Sequence, residues 1–127
     1  MIEIGNRYKS KSVVTEEMTA KTVGSGDLPV LATPVMIALM ENAAMLAVAG
    51  HLKDNETTVG GYMECSHLKP TAVGEEIEAL AFLRKIDGTA LHFEIEAYAG
   101  EKKIGTGHHI RYVVDRNRFL AKLSKTL

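Results

Sequence analysis

The sequence lacks several features that would place it outside the ordinary soluble enzymes. It has one cysteine in 127 residues, Cys65, so no internal disulfide is possible and nothing indicates an oxidising compartment. Neither sign of charge predominates, because 15 basic residues stand against 16 acidic ones. That balance argues against a broad basic surface, and we expect no nucleic-acid partner.

Long apolar runs are also missing. The longest apolar-rich stretch, residues 35–49, is interrupted by Glu41 and Asn42, and it is too short and too polar to span a bilayer. The first residues lack the apolar core of a signal peptide. We therefore expect a cytoplasmic protein with no membrane partner. The chain length predicts a single domain over residues 1–127, so small that a functional site is often built between subunits.

The clearest local signal is a helix. Thr33 suits the N-cap and Pro34 the first helical position, and Gly50 suits the end of the run PVMIALMENAAMLAVAG. Apart from Glu41 and Asn42, this helix has no polar face. A helix that is apolar nearly all round is buried on most of its sides.

Strand patterns surround this helix. Asp87-Gly88 between two alternating segments predicts a hairpin. Residues 23–32, rich in glycine, predict a loop, and residues 119–127 a short helix. The predicted strands cover residues 7–15, 59–68, 75–85, 90–98 and 103–114. One strand, one buried helix and four strands in antiparallel succession predict an α+β hot-dog fold, in which an antiparallel sheet wraps around one long central helix.

Two residues stand out as candidates for chemistry. The carboxylate of Glu41 is costly in an apolar helix unless it is paired or hydrated, so Glu41 marks either a site or a polar stripe at solvent or a dimer seam. Thr33 lies eight residues earlier, close enough in angle to share one side of the helix, at the amide-rich end that favours a developing oxyanion. His67, near a strand end, is either a structural residue or a general base.

Gly60 and Gly61 interrupt a strand. They indicate a bulge, or a close approach of backbone to ligand with an N–H able to bind an oxyanion. His108 and His109 are adjacent on a strand and so point to opposite faces, and we predict no metal site. No base is predictably placed beside Cys65, which argues against a cysteine nucleophile.

Three separated segments, LATPVMIALMENAA, TTVGGYMECSHLKPTAVG and IGTGHHIRYVV, resemble the fluoroacetyl-CoA thioesterase family, as does the tail RFLAKL. The resemblance covers about residues 22–123. It implies that Thr33, Glu41 and His67 are catalytic and that Gly60 binds the oxyanion, whereas Gly61 is a substrate-binding candidate from the strand pattern alone. It also implies homodimers joined at their sheet edges with sites at the interface, the alternative assembly being a tetramer.

The implied activity is hydrolysis of a short or medium acyl-CoA to a free acid and CoA, with no cofactor because CoA is part of the substrate. Attack by Thr33 and direct activation of water by Glu41 and His67 both fit. The alternatives are a hot-dog hydratase or dehydratase and a non-catalytic acyl-CoA-binding protein. The fluoroacetyl-specific members carry aromatic residues in the loop before the helix, whereas residues 23–32 contain none, and Gly24 and Asp27 stand where those rings are expected. We therefore expect no fluoroacetyl selectivity.

Overall fold

A computed structural model describes residues 1–126, with only the backbone described for Lys125 and Thr126. The predicted central helix and all five predicted strands are present, with ends that differ by a few residues. The predicted C-terminal helix begins at residue 116 rather than 119, and Leu127 lies outside the described residues. In chain order the elements are β1 (Arg7–Val13), a 3-10 turn (Glu16–Met18), α1 (Ala20–Val23), α2 (Thr33–Ala49), β2 (Glu56–His67), β3 (Glu76–Asp87), β4 (Ala90–Ala99), β5 (Lys102–Asp115) and α3 (Arg116–Thr126).

The five strands form one antiparallel sheet in the order β1-β3-β4-β5-β2. The predicted hairpin joins β3 to β4, where Asp87 pairs with Ala90 and Gly88 takes a φ of 62°. The prediction of four strands in antiparallel succession was wrong at one step, because β2 pairs with β5 and not with β3. The segment after β2 is tied to the loop before α2, where the Leu31 amide donates to the Thr71 carbonyl, and it carries the chain to the far edge beside β1.

The core lies between α2 and one face of the sheet. From α2 it takes Met36, Met40 and Val48, and from β4 it takes Phe93 and Ile95, all almost completely buried. None of the helices among residues 1–126 is long and apolar enough to cross a membrane.

The prediction that α2 is buried on most sides needs a correction. A stripe along the helix stays exposed in the protomer and recurs every three or four residues, at Pro34, Ala38, Asn42, Met45 and Ala49. This stripe is mostly small or apolar, and the amide oxygen of its one polar member, Asn42, accepts a hydrogen bond from the Ser10 hydroxyl. Most of the stripe therefore exposes apolar surface to solvent in the isolated protomer.

Strand β2 lies at the edge of the sheet and carries a bulge. Gly60 is opposite Arg111 and Tyr62 is opposite Ile110, so Gly61 is the extra residue. The outer edge of β2 pairs with no other strand among residues 1–126. A long free edge of this kind is a template for pairing with another chain.

Candidate active site

The structure brings Thr33 and His67 into contact. Oγ1 of Thr33 lies 2.7 Å from Nδ1 of His67. The prediction of Thr33 as the N-cap was wrong, because Ala32 occupies that position with extended backbone and no side chain caps the helix. Thr33 is instead the first helical residue, and its hydroxyl is hydrogen-bonded to the imidazole at the end of β2.

The environment of His67 favours the neutral ring. Burial lowers the pKa of His67, and the nearby backbone of Lys69 acts in the opposite direction. The ring is therefore mostly unprotonated near pH 7, as a general base requires. Its other nitrogen, Nε2, is buried and has no partner among the described residues. A buried polar group left without a hydrogen bond costs about 1–3 kcal/mol. We therefore expect Nε2 to form a hydrogen bond with a substrate, a water molecule or another subunit.

A cleft of about 360 Å³ opens beside the pair. It is bounded by the segment before α2 and by the segment that follows β2. No aromatic side chain lines it. The lining residues are Ala20, Ser25, Val30, Leu31, Thr33, His67, Leu68, Lys69 and Pro70.

Glu41 belongs to a second cluster, at the bulge of β2. A Cβ built on Gly60 would lie 3.5 Å from Oε2 of Glu41, 3.6 Å from Nη1 of Arg111 and 3.1 Å from Cε1 of His109. A side chain at Gly60 would thus crowd the His109 ring and face the carboxylate. Eight residues of helix separate Thr33 from Glu41, about 12 Å along the axis. One protomer therefore holds Thr33 with His67 and Glu41 with Gly60, as two separate pairs.

The remaining candidates fall outside both pairs. A side chain at Gly61 would collide with the ring of Tyr112, which accounts for glycine there in packing terms. Burial raises the pKa of the Cys65 thiol and so disfavours the reactive thiolate. His108 is exposed while His109 is buried, which confirms that they lie on opposite faces. Throughout the described part of the chain, no group of three His, Cys, Asp or Glu side chains is arranged to hold a metal.

Sequence reasoning missed the residues that surround Glu41. Arg111 and His109 face α2 from β5, and Thr58 contacts Arg111 from β2. A signal was present in GHHIRYVV, because alternation places His109 and Arg111 on the same face as Gly107. A charged residue on the inward face of a strand is unusual enough to mark as a candidate.

Comparison with known proteins adds the family. The model of the FlK family, described as fluoroacetyl-CoA-specific thioesterase, matches residues 14–117. The chain belongs to this family. A fluoroacetyl-CoA thioesterase from Streptantibioticus cattleyicolor is 30% identical over 128 residues, which cover 96% of this chain and 92% of that protein.

Solved structures agree with this membership of the FlK family. A solved structure of the fluoroacetyl-CoA thioesterase FlK superimposes with a TM-score of 0.92 at 28% identity, covering 100% of this chain and 98% of that one. A thioesterase superfamily member from Thermus thermophilus gives 0.92 at 27% identity, covering 99% and 93%. A hot-dog-like protein from Thermanaerovibrio acidaminovorans gives 0.90 at 16% identity, covering 99% and 93%, and shows the fold alone. The prediction of a hot-dog fold is confirmed.

Proposed function

We propose that this protein hydrolyses acyl-CoA thioesters with short or medium acyl chains to a free acid and CoA. The observation that carries the proposal is the 2.7 Å contact of Thr33 with His67 beside an open cleft, in a chain of the FlK family. CoA is part of the substrate, so the reaction needs no cofactor. The cytoplasm is the proposed location, because acyl-CoA esters are intracellular metabolites.

The proposed chemistry starts at the hydroxyl of Thr33. A threonine hydroxyl is a weak nucleophile and needs an adjacent base. Oγ1 attacks the thioester carbonyl carbon as its proton passes to Nδ1 of His67. The C–S bond then breaks, and the leaving CoA thiolate takes that proton. Water attacks the acyl ester on Thr33 as its proton passes to His67. His67 then returns a proton to Oγ1 as the C–O bond to Thr33 breaks, which releases the acid and restores the hydroxyl.

Gly60 and Glu41 have separate proposed roles in this scheme. The exposed backbone of Gly60, at the bulge, supplies an N–H to the negative oxygen of the tetrahedral intermediate. Glu41 accepts a hydrogen bond from Nε2 of His67, which stabilises the ring as it gains a proton. The orphaned state of Nε2 in the protomer supports this role.

The two pairs meet in the proposed dimer. If two β2 edges pair antiparallel about Glu64, with Gly61 as the extra residue on each strand, Gly60 lies opposite His67 of the partner subunit. Glu41, which sits at Gly60, then approaches Nε2 of the partner's His67. The two-fold axis generates two equal sites, each with Thr33 and His67 from one subunit and Glu41 and Gly60 from the other.

The free edge of β2 and the exposed apolar stripe on α2 support a dimer, and a tetramer of two such dimers is the alternative. Sedimentation at micromolar concentration is expected to show a dimer or a larger species. A profile with only a 13.8 kDa species would contradict both the assembly and the shared site.

Thiol release across a panel of acyl-CoA esters tests the activity. We expect turnover of several short and medium esters by the wild type and little by Thr33→Val. A hydratase would instead add water to enoyl-CoA without releasing thiol. A binding protein would retain acyl-CoA without turnover, and either outcome would contradict the proposal.

A further inference from the structure

We infer that Arg111 and His109 are positioning residues that hold the Glu41 carboxylate and the Gly60–Gly61 bulge in place. The inference rests on the proposed thioesterase function, because it assigns to these two residues the support of a group that the reaction uses. Neither residue touches Thr33 or His67 in the protomer.

Arg111 is only 8% exposed, and three hydrogen bonds hold its guanidinium in place. Its Nε donates to Oγ1 of Thr58 at 2.8 Å, and its Nη2 donates to the Thr58 carbonyl at 3.0 Å. Its Nη1 lies 3.1 Å from Nε2 of His109. A guanidinium has five N–H groups, so two remain for other partners.

The contact with Arg111 decides the state of His109. A guanidinium nitrogen only donates, so Nε2 of His109 accepts and Nδ1 carries the proton. Nδ1 then donates to the carbonyl of Tyr62 at 2.8 Å. Tyr62 follows the bulge directly, so His109 ties the backbone beside Gly60 and Gly61 to β5. Burial lowers the pKa of His109, and the nearby charge of Arg111 lowers it further, which keeps the ring in this neutral form.

The charge of Arg111 acts on Glu41 at short range. Both groups lie close to the position of a Cβ on Gly60, so Nη1 and Oε2 are no more than about 7 Å apart, near enough to attract in a partly buried setting. They form no ion pair, which leaves the carboxylate free to contact another group.

The desolvation of Arg111 also argues for a role beyond packing. Burying a guanidinium is costly, and replacing buried ionic groups by apolar side chains is often neutral or stabilising. An apolar side chain would therefore fill this position at a lower desolvation cost. It would, however, remove the positive charge beside Glu41.

The test compares inward-facing and outward-facing residues of the same types in the 127-residue protein. Arg111→Met removes the cation, Arg111→Lys keeps the charge without the planar fork, and His109→Phe keeps a ring without its hydrogen bonds. The matched controls are Arg84→Met and His108→Phe. Arg84 is exposed and paired with Glu94, and His108 is exposed on the outer face of the sheet.

We expect Arg111→Met and His109→Phe to lower kcat by about tenfold to a hundredfold, the scale of a misplaced catalytic group. KM should change far less, and Arg111→Lys should recover part of kcat. Both controls should keep the wild-type kcat. If kcat per folded molecule is unchanged in Arg111→Met and His109→Phe, the two residues only stabilise the fold and the inference is wrong.

A second measurement needs no turnover, so it separates this inference from the proposed function. The Tm is measured for wild type, Glu41→Gln, Arg111→Met and the double variant. If Arg111 and Glu41 interact, Arg111→Met should change the Tm by a different amount in the Glu41→Gln background than in the wild type. The reason is that Glu41→Gln has already removed the attraction between the carboxylate and Arg111. Additive changes in Tm would overturn the link to Glu41 even if the wild type is an active thioesterase. Coupled changes in a protein inactive on every ester would refute the proposed function and leave the link standing.

Discussion

Oγ1 of Thr33 lies 2.7 Å from Nδ1 of His67, so one hydrogen bond joins the first residue of α2 to the last residue of β2 across 34 positions of sequence. The contact places a hydroxyl against a nitrogen able to take its proton. Thr33→Val keeps the shape and removes the hydroxyl, and we expect thiol release to fall about a hundredfold or more. Thr33→Ser should keep most of it. Near-wild-type turnover in Thr33→Val would favour direct attack by water.

Glu41→Gln should lower thioesterase activity by roughly a hundredfold or more, because the amide keeps the size of the side chain but loses the charge that stabilises a protonated His67. The fold should survive, with at most a small change in Tm from the lost attraction to Arg111. Glu101→Gln is the matched control, since Glu101 is exposed in the turn between β4 and β5. Full activity in Glu41→Gln would return Glu41 to a structural role.

Mixed dimers test whether each site takes residues from both subunits. His67→Gln and Glu41→Gln homodimers should each be nearly inactive. After equal amounts are unfolded together and refolded, half of the dimers are mixed and each has one intact site, so about a quarter of wild-type activity should return. If all three residues act within one subunit, mixing restores nothing.

The pH dependence follows from the burial of His67, which lowers its pKa below the ordinary value of 6.5. In the proposed dimer the Glu41 carboxylate at Nε2 acts in the opposite direction, so Glu41→Gln should move the acid limb of the activity profile to lower pH. The unfolded chain binds a proton at His67 more readily than the folded one, so this contribution to stability is complete above pH 6.5 and is lost as the pH falls toward the folded pKa. A log(kcat/KM) profile whose acid limb lies at the same pH in Glu41→Gln and the wild type would contradict the proposed contact of Glu41 with His67.

We expect the protein to discriminate little between two-carbon thioesters. Fluorine and hydrogen differ little in size, so discrimination needs specialised contacts, and no aromatic residue lines the cleft. We expect kcat/KM for fluoroacetyl-CoA and acetyl-CoA to be similar, with longer esters also accepted. A fluoroacetyl preference of about a thousandfold, worth roughly 4 kcal/mol, would show the opposite.

A phenylalanine introduced into the loop before α2 gives a variant that tests the selectivity prediction. Gly24 has a φ of 91°, which a side chain adopts only with strain, so Asp27 is the better position for a phenylalanine. We expect Asp27→Phe to reduce kcat/KM for the longest accepted esters more than for acetyl-CoA. An equal loss on every ester would indicate damage to the site rather than a narrower cleft.

The sequence by itself determined the elements of this fold and most of the candidate residues. The composition of residues 33–49 specifies α2, and alternation with turn residues specifies the strands, because hydrogen bonds within a helix and the two faces of a strand depend on neighbours along the chain. Four candidates were recognised in the sequence, either because their residue type is unusual at that position or because of the family resemblance. They are Thr33, Glu41, His67 and Gly60. Their catalytic roles stay predictions.

Only the tertiary structure decided which of these residues meet. The placement of β2 beside β5, the contact of Thr33 with His67 in place of a helix cap, and the network of Arg111 and His109 around Glu41 all depend on pairings such as Gly60 with Arg111. Such pairings are chosen by which apolar faces pack together over long stretches of chain. No local pattern records that choice, because many registers satisfy the same alternation and only one buries the shared core.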